Sequence, residues 1–352
     1  MQRFRVGVLG ATGAVGQYLV GLLAEHPWFV LTEVVASDRS AGRPYAQAVR
    51  WRMPTAIPEA ARDLTVKDLQ SELDCDLLLS ALDTGVAEVA EEPFARAGFP
   101  VISNSRNHRM DPDVPLVIPE VNPGHLDAIS SQRRGRGWER GLLLTNPNCS
   151  TIGLAMALKP LQDRFGLAAV QVTTMQAISG AGLDGISAAA IHDNVIPHIA
   201  GEEEKLEAEP KKILGSFDGA AFRSAEIAIS AHCNRVPVLD GHMESISVSL
   251  RSEANSQEVA DAFREFRADQ LVRDLPSAPI HPILLTADEF RPQPRLDRGV
   301  AAGMSVVVGR VRPCAVLDWK FTALVHNMVR GAAGAAILNA ELLVAGGWLD
   351  TV

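Results

Sequence analysis

The sequence predicts an α/β chain in two parts: a doubly wound parallel sheet, followed by an α+β region with a mixed or antiparallel sheet. Up to about residue 148, short apolar runs alternate with helical spacing, which is typical of parallel strands with helices on both faces. Beyond residue 161 the pattern changes to alternating runs such as 245–250, which indicate half-buried strands. A length of 352 residues also favours two domains over one.

Composition narrows the class of protein. The chain is 47% apolar and 21% charged, as expected of a globular fold. A net charge of −9 argues against a nucleic-acid partner, because such proteins usually present a basic face. The N-terminus carries no signal-peptide pattern and no apolar stretch could span a bilayer, so we expect no membrane partner. The cysteines lack metal-site spacing, so we expect no metal and a reducing cytoplasm; they are Cys75, Cys149, Cys233 and Cys314.

The first predicted strand, 4–9, leads into a glycine-rich turn. Gly10, Gly13 and Gly16 are followed by a segment with helical spacing at 18–23. Strand, glycine loop and helix in this order form the nucleotide-binding arrangement of Rossmann-type domains, in which a pyrophosphate approaches the backbone amides. The spacing differs from the commoner Gly-x-Gly-x-x-Gly. Its position after a clean strand still favours nucleotide binding over a turn with incidental glycines.

The second predicted strand, 31–36, ends in a segment that bears on the choice of nucleotide. An acidic residue there would pair with a bare ribose hydroxyl, whereas Arg and Ser would hold a 2′-phosphate. Both kinds are present, but the basic and hydroxyl residues outnumber Asp38, so we favour NADP. These residues are Ser37, Arg39, Ser40 and Arg43.

Two further strand ends are expected to line the ligand crevice. The strand predicted at 75–82 contains Ser80, and the strand at 99–103 is followed by a polar, basic loop at 104–110 that could bind an anion. The same loop could equally be ordinary surface. The stretch 131–140 is dense in Arg and Gly and is predicted to be a flexible surface loop.

Cys149 is predicted to stand where a buried strand at 141–144 hands over to a helix at 152–161, with Pro160 and Gly166 marking the helix exit. Unpaired amides and the helix dipole favour a thiolate at such a place, where a cysteine is a good nucleophile. A buried structural cysteine is the alternative. The polar neighbours argue against an inert apolar slot; they are Asn146, Asn148, Ser150 and Thr151.

Two histidines compete as the partner of this cysteine. His232 is next to Cys233, but neighbouring residues on a strand point to opposite faces, so a local dyad is not expected. His242 follows a glycine turn and opens a strand, where a side chain can project into a cleft; a surface-turn histidine is the alternative. The charged run 202–212 is predicted to be a solvated helix face, and 327–343 a buried helix.

Six motifs, in this order and separation, resemble aspartate-semialdehyde dehydrogenases of the archaeal and fungal type. The resemblance implies a nucleotide domain made of residues 1–148 and 327–352, with a catalytic and dimerisation domain at 149–326 inserted between them. It also implies a homodimer or homotetramer. The motifs are residues 10–16, 104–110, 146–153, 176–182, 201–215 and 235–242.

The resemblance also implies roles for individual residues. Cys149 would be the nucleophile and His242 the acid/base that shuttles its proton. Gln176 would orient the substrate, Arg235 would clamp its carboxylate, and Glu202 would hold its ammonium. Phosphate would be bound by Arg109 and Lys205. The residues implied to line NADP, with the glycine turn and Ser80 included, are Gly10, Thr12, Gly13, Ala14, Val15, Ser37, Arg39, Ser40, Ser80, Ser179, Gly180 and Asn327.

The implied activity is NADP-dependent, reversible reductive dephosphorylation of L-4-aspartyl phosphate to L-aspartate 4-semialdehyde through a cysteine thioester. This step serves the biosynthesis of lysine, threonine, methionine and isoleucine and releases inorganic phosphate. A malonyl-CoA reductase of the same fold would keep Cys149 and His242 but would not need Glu202. A non-catalytic nucleotide-binding paralogue is the second alternative, against which the intact Cys149, His242 and Arg235 argue.

Overall fold

The computed structural model describes residues 3–182 and 185–349, and its first sheet is parallel throughout. The strands lie in the order β2-β1-β3-β4-β5. Most of their residues are buried and apolar, as expected when helices cover both faces. This confirms the predicted doubly wound sheet. The strands are β1 Phe4–Leu9, β2 Phe29–Val35, β3 Leu77–Ser80, β4 Pro100–Ser103 and β5 Leu142–Thr145.

The second sheet is mixed and has the order β11-β12-β13-β10-β6-β9, while β7 and β8 form a separate hairpin. The β6–β9 and β11–β12 pairs are parallel and the other pairs are antiparallel. The predicted α+β part with a mixed sheet is thereby confirmed. Its strands are β6 Leu167–Gln176, β7 Ser216–Phe217, β8 Phe222–Arg223, β9 Ala228–Arg235, β10 His242–Leu250, β11 Ile283–Leu285, β12 Val306–Pro313 and β13 Trp319–Val325.

Twelve α-helices are found in the described ranges, and the last of them returns to the first sheet. Ile337 and Leu338 belong to the same apolar cluster as Val6 and Leu77, so the C-terminal helix completes the first core. No helix of the described chain is long and apolar enough to cross a bilayer. The helices are α1 Ala14–Leu23, α2 Tyr45–Ala48, α3 Glu59–Arg62, α4 Thr84–Arg96, α5 Ala128–Arg136, α6 Cys149–Phe165, α7 Ala188–Ile191, α8 Glu202–Ile213, α9 Ser256–Glu265, α10 Gln270–Arg273, α11 Pro294–Asp297 and α12 Gly334–Ala345.

Shorter helical turns join these elements. The segments Pro123–Asp127, Ile178–Ala181 and Val300–Gly303 are 3₁₀ turns. Val329–Ala333 is a π-helical turn that leads directly into α12. A π turn inside a helix is uncommon and often stands at a functional site.

The predicted flexible loop at 131–140 is wrong, because most of it forms α5. The side chain of Gln132 donates to the Leu143 carbonyl and accepts from the Leu143 amide, which docks this helix on β5. Gly137 then ends the helix in the left-handed region, at φ 68°. The prediction rested on the Arg- and Gly-rich composition, which does not report such tertiary contacts. The predicted exit of α6 at Pro160 is also too early, because that proline lies inside the helix and only Gly166 ends it.

Candidate active site

The site is built on the turn between β5 and α6, where Cys149 is the first helical residue. Asn148 precedes it as the N-cap. Its side-chain oxygen accepts hydrogen bonds from the Ser150 amide at 3.0 Å and the Thr151 amide at 3.2 Å. Asparagine is among the best N-cap residues, which explains why the helix begins here. The cap fixes the direction in which the Cys149 side chain leaves the backbone.

The Asn148 cap also bears on whether Cys149 is a thiol or a thiolate before substrate binds. Two first-turn amides are already used by Asn148, so they are not available to a sulfur anion. Burial, and then the nearby Glu202 carboxylate, raise the pKa of the Cys149 thiol to about 12, while Arg109 and Arg235 act in the opposite direction. The prediction that the helix mouth holds a resting thiolate is therefore not supported; the group at rest is a thiol.

His242 lies beside this thiol, with its Nε2 3.2 Å from Cys149 Sγ. It is the first residue of β10 and follows Gly241, whose φ of +100° turns the chain into the strand. The imidazole is fully buried, and its Nδ1 accepts a hydrogen bond from the Ala177 amide at 3.0 Å. Burial, and then Arg235, lower the pKa of His242 to about 3. The competing His232 is exposed on β9.

Gln176 and Arg235 reach the site from adjacent strands. They are register partners at the ends of β6 and β9, which places them side by side. The Gln176 Nε2 donates to the Glu202 carboxylate at 3.2 Å, and the Arg235 Nη1 donates to the Ala177 carbonyl at 2.7 Å. The Nε of Arg235 is buried and has no partner among the described residues. The guanidinium is thus held on one side and keeps donors for a ligand.

Glu202 is the first residue of α8, and its carboxylate lines the same cavity as Cys149. It accepts from Lys205 Nζ at 2.6 Å and from Asn148 Nδ2 at 2.9 Å. Burial by itself would raise the pKa of Glu202, but the Lys205 charge and these hydrogen bonds outweigh burial and lower it. Glu202 is therefore an ionised group, buried next to Cys149, with a cation already beside it.

Arg109 is held through two nitrogens of its guanidinium, and its buried Nε has no partner among the described residues. Its Nη1 donates to Glu209 at 2.9 Å and its Nη2 to the Asn104 carbonyl at 2.7 Å. The second oxygen of Glu209 accepts from the Asn148 amide at 2.7 Å. Arg109 thus supports the turn before Cys149 as well as lining the cavity described below. Arg106 is the exposed cation of the same loop, and the sequence reasoning gave it no role.

The predicted solvated face of 202–212 is wrong in part, since Glu202, Glu209 and Lys212 are buried. Lys212 donates to the carbonyls of Arg109, Asp111 and Val114, and so pins the helix to the loop after β4. Glu202 and Glu209 are two helical turns apart on one face. That spacing was the sequence signal for a buried polar stripe.

Two cavities meet at the 3₁₀ turn Ile178–Ala181. One, of about 490 Å³, contains Cys149 and the other predicted substrate and phosphate residues; its lining includes Arg109, Cys149, Gln176, Gly180, Glu202, Lys205 and Arg235. The other, of about 410 Å³, lies beside the glycine turn; its lining includes Ala14, Gln17, Tyr18, Ser179, Asp240 and Met328. Gly180 lines the first and Ser179 the second, so the turn separates a nucleotide-side crevice from the thiol.

The glycine turn suits an anionic nucleotide. No side chain of the described chain caps α1 at Gly13, so the amides of its first turn stay open to a ligand. Gly10 has a φ of +76°, and a Cβ on Gly16 would lie 2.2 Å from the Gly10 carbonyl oxygen. The turn can therefore be this tight only with glycines.

The other predicted cofactor residues fall into three groups. Asn327 donates to Ser179 Oγ at 2.8 Å and accepts from the Gly241 amide, so it holds the wall between the cavities. Ser37 and Arg39 are exposed beyond β2 and Ser40 is half-buried, and none of the three lines either cavity. Ser80 is fully buried, so its hydroxyl is not presented to a cofactor in this conformation.

Comparison with known proteins decides the family. Residues 5–129 match the family described as semialdehyde dehydrogenase, NAD binding domain, and residues 158–330 match semialdehyde dehydrogenase, dimerisation domain. The aspartate-semialdehyde dehydrogenase of Archaeoglobus fulgidus is 49% identical over 343 residues, which cover 97% of this chain and 98% of the relative. The Saccharomyces cerevisiae enzyme of that name is 43% identical over 354 residues, covering 96% and 97%.

The chain belongs to the aspartate-semialdehyde dehydrogenase family. Among solved structures, the aspartate-semialdehyde dehydrogenase with NADP from Candida albicans matches with a TM-score of 0.91 and 42% identity, covering 99% of this chain and 100% of that one. Aspartate-semialdehyde dehydrogenase II complexed with ASA from Vibrio cholerae matches with a TM-score of 0.78 and 28% identity, covering 98% and 99%. As a member of this family the chain is a dehydrogenase that contains the family's dimerisation segment.

Proposed function

We propose that the chain catalyses the NADP-dependent reductive dephosphorylation of L-4-aspartyl phosphate to L-aspartate 4-semialdehyde, reversibly and through a thioester on Cys149. The observation that carries this is the 3.2 Å contact between Cys149 Sγ and His242 Nε2 in a cavity that also holds Glu202 and Arg235. A nucleophile with a positioned imidazole supports covalent catalysis. One anion and one cation beside it fit an amino-acid substrate. The step belongs to the biosynthesis of lysine, threonine, methionine and isoleucine.

Substrate binding would also activate the thiol. Glu202 is the carboxylate whose charge raises the pKa of Cys149, and Arg235 lowers it. An ammonium group bound at Glu202 would neutralise the first effect, and the cations would then act against burial, the largest cause of the raised pKa of Cys149. Arg235, with its planar fork and unpaired Nε, suits the α-carboxylate of the substrate. Glu202 and Arg235 therefore couple recognition to activation.

The covalent step forms a bond between Cys149 sulfur and the acyl carbon as the carbon–oxygen bond to phosphate breaks. The departing phosphate would be met by Lys205 and Arg109, with Arg106 at the exposed side of the same cavity. When bound, the nicotinamide supplies the hydride that reduces the thioester. The bond between carbon and the Cys149 sulfur in the resulting thiohemiacetal then breaks, which releases the aldehyde and regenerates Cys149.

We assign NADP to the crevice beside the glycine turn. The first-turn amides of α1 would hold the pyrophosphate, as helix N-termini do. Ser37, Arg39 and Ser40 would hold the 2′-phosphate. Replacing Arg39 with Ala should weaken NADP binding by about tenfold, the loss expected for one charge-assisted hydrogen bond, and leave NAD binding unchanged.

The substrate assignment is tested by two assays run on one preparation. We expect NADP reduction with aspartate semialdehyde plus phosphate, and no NADPH oxidation with malonyl-CoA. Activity with malonyl-CoA alone would overturn the assignment in favour of the malonyl-CoA reductase alternative. Glu202→Gln sharpens the test, because it should raise KM for the semialdehyde more than KM for a substrate without an ammonium.

We further propose a homodimer formed through the outer face of the second sheet. Helix α6 packs on the inner face, whereas a polar groove crosses the outer face, lined by Gln171, Thr173, Ser245, Ser247, Lys320 and Thr322. Light scattering should give twice the 37.7 kDa chain mass; four times would indicate the tetramer. We propose the domain division 1–148 with 327–352 and 149–326. Most members of the two apolar cores agree with it, although Ala268 and Met304 lie in the first core and Leu116 and Ala335 in the second. The free cysteines suit the proposed reducing cytoplasm.

A further inference from the structure

The side-chain amide of Gln176 is held through its nitrogen. Nε2 lies 3.2 Å from a Glu202 carboxylate oxygen and 3.3 Å from the Thr174 hydroxyl oxygen. A carboxylate only accepts hydrogen bonds, so the amide atom that faces Glu202 is the nitrogen, and its two hydrogens serve these two acceptors. Gln176 Oε1 accepts from no described residue and is not among the fully buried atoms without a partner. The amide oxygen is therefore the atom that Gln176 presents to the cavity around Cys149.

Thr174 reaches this amide from within the sheet. It lies two residues before Gln176 on β6, so the two side chains project from the same face, and it is fully buried. Its register partner on β9 is Cys233. Burial raises the pKa of the Cys233 thiol to about 11, and a hydrogen bond from Thr174 acts in the opposite direction, as expected when the hydroxyl donates to sulfur. The hydroxyl hydrogen thus faces Cys233, which leaves a lone pair of the oxygen for Gln176.

These groups form one chain of hydrogen bonds from the sheet to α8. Thr174 donates to Cys233 and accepts from Gln176, and Gln176 donates to Glu202. A buried donor that loses its acceptor is costly, so each link holds the next one in place. If the Thr174 hydroxyl were removed, one N–H of Gln176 would lose its acceptor, and turning the amide into the cavity would give that N–H a new one. Thr174 thereby decides which end of the amide a ligand meets.

We infer that Thr174 is a positioning residue: it holds Gln176 Nε2 against the sheet, so that the substrate meets the amide oxygen. This rests on the proposed function for the identity of the substrate. L-4-aspartyl phosphate and L-aspartate 4-semialdehyde each carry an ammonium group, which donates hydrogen bonds, and a carboxylate, which only accepts them. An amide oxygen at this place favours the ammonium and repels the carboxylate. Gln176 and Glu202 then accept together from the ammonium, and the carboxylate is left to Arg235.

Loss of the Thr174 hydroxyl should affect substrate binding more than the chemical step. The carbon that bears the ammonium is two bonds from the carbon that Cys149 attacks, so the contact with Gln176 is the same before and during the reaction. Removing such a contact raises KM and leaves kcat unchanged. At saturating substrate the ammonium still occupies Glu202, so the thiol is activated as before. A general loosening of the site would lower kcat as well.

A pair of variants tests this role. Thr174→Val keeps the branched shape without the hydroxyl, whereas Thr174→Ser keeps the hydroxyl. In steady-state assays with aspartate semialdehyde, NADP and phosphate, we expect the Val variant to raise KM for the semialdehyde about tenfold, the loss of about one hydrogen bond. Its kcat and its KM for NADP should stay at wild-type values, and the Ser variant should match the wild type in all three.

An unchanged KM in Thr174→Val, or an equal fall of kcat in both variants, would overturn the inference. An inactive wild-type enzyme would instead refute the proposed function. Crystal structures of the two ligand-free variants give a readout that needs no substrate. We expect the Gln176 amide to turn into the cavity in Thr174→Val and to keep its place in Thr174→Ser. An amide that keeps its wild-type place in Thr174→Val would overturn the positioning role, whatever the substrate is.

Discussion

Two turns of the first sheet have the same layout and opposite uses. In each, a parallel strand ends and a helix begins: β1 leads into α1, and β5 into α6. At α1 the N-cap is Gly13, and no described side chain caps the helix. At α6 the N-cap is Asn148, whose side chain takes two amides. The amides of the α1 turn are therefore available to a ligand. At α6 two amides are bound by Asn148, and the group available to a ligand is the Cys149 side chain.

The comparison shows that the N-cap residue can decide whether the first-turn amides of a helix are available to a ligand. The open amides of α1 suit an anion, as helix N-termini commonly do. At α6 the occupied amides give a fixed direction for Cys149, and in the proposed reaction the sulfur anion would be favoured by the charge of Arg235 and by neutralisation of Glu202. Position at a helix mouth is therefore not sufficient to predict a thiolate.

The largest effect is expected at the α6 turn. Cys149→Ser should lose roughly 3 kcal/mol or more of transition-state stabilisation, about a hundredfold or more in rate, because the hydroxyl is a poorer nucleophile. Steady-state turnover with aspartate semialdehyde, NADP and phosphate measures it. NADP binding should be unchanged, because the α1 turn is untouched. Cys314→Ser is the matched control and should keep wild-type turnover, since Cys314 follows β12 and lines neither cavity. Wild-type turnover in Cys149→Ser would refute the nucleophile assignment.

The next effect is expected from giving α1 the cap that α6 has. Gly13 has φ −76° and ψ 176°, which any residue can adopt, so Gly13→Asn can cap the helix without backbone strain. Its side chain would compete with the pyrophosphate for the first-turn amides. We expect the NADP Kd to rise by about 10- to 100-fold, equivalent to the roughly 1.5–3 kcal/mol of hydrogen bonds to a charged group.

Gly13→Ala is the control that separates the effect of the Asn cap from the effect of adding a side chain at this position. A Cβ at this position would lie 3.3 Å from the Gly10 carbonyl oxygen, a tight contact that both variants share. The difference between the two variants in NADP Kd, measured by fluorescence titration, is the effect of the cap. If Ala weakened binding as much as Asn, the comparison of the two turns would fail.

A smaller effect on activity is expected where the π turn Val329–Ala333 packs against Cys149 at the start of α6. A Cβ on Gly331 would lie 2.7 Å from the Cys149 Cβ, so Gly331→Ala must displace the nucleophile or the turn. We expect kcat to fall by roughly tenfold or more and stability to fall by about 1–3 kcal/mol. Gly21→Ala in α1 is the control: its Cβ would meet no described atom within 4 Å, and it should stabilise by about 0.5–1 kcal/mol. Unchanged kcat in Gly331→Ala would show that the wall does not position the sulfur.

A separate prediction concerns acid stability outside both turns. Burial lowers the pKa of His125 to about 4, so below its ordinary value of about 6.5 the unfolded chain takes up a proton that the folded chain does not. The free energy of unfolding should therefore fall as the pH drops from about 6.5 to about 4, by about 1.4 kcal/mol per pH unit for one proton. His125→Gln should reduce this slope. The exposed His192→Gln should leave it unchanged in denaturant titrations, and equal slopes in both variants would contradict the account.

The local features of both turns could be predicted from the sequence, because glycine spacing, β-branched runs and the Asn-Cys order act over a few residues. The supports of the site could not. Glu209 binds the Asn148 amide from α8, and Gly331 touches Cys149 from near the C-terminus, contacts that depend on how distant elements pack. The same limit explains the error at 131–140, where Gln132 docks a helix on β5. The protonation of Cys149 and His242 depends on burial, which the sequence pattern does not report.

The central claim is that Cys149 carries the acyl group while the α1 turn serves the nucleotide. Mixing enzyme, NADP and aspartate semialdehyde without phosphate tests it most directly. We predict a burst of one NADPH per chain, an aspartyl mass on the peptide that contains Cys149, and steady turnover once phosphate is added. No burst, or acylation of a peptide other than that of Cys149, would contradict the claim.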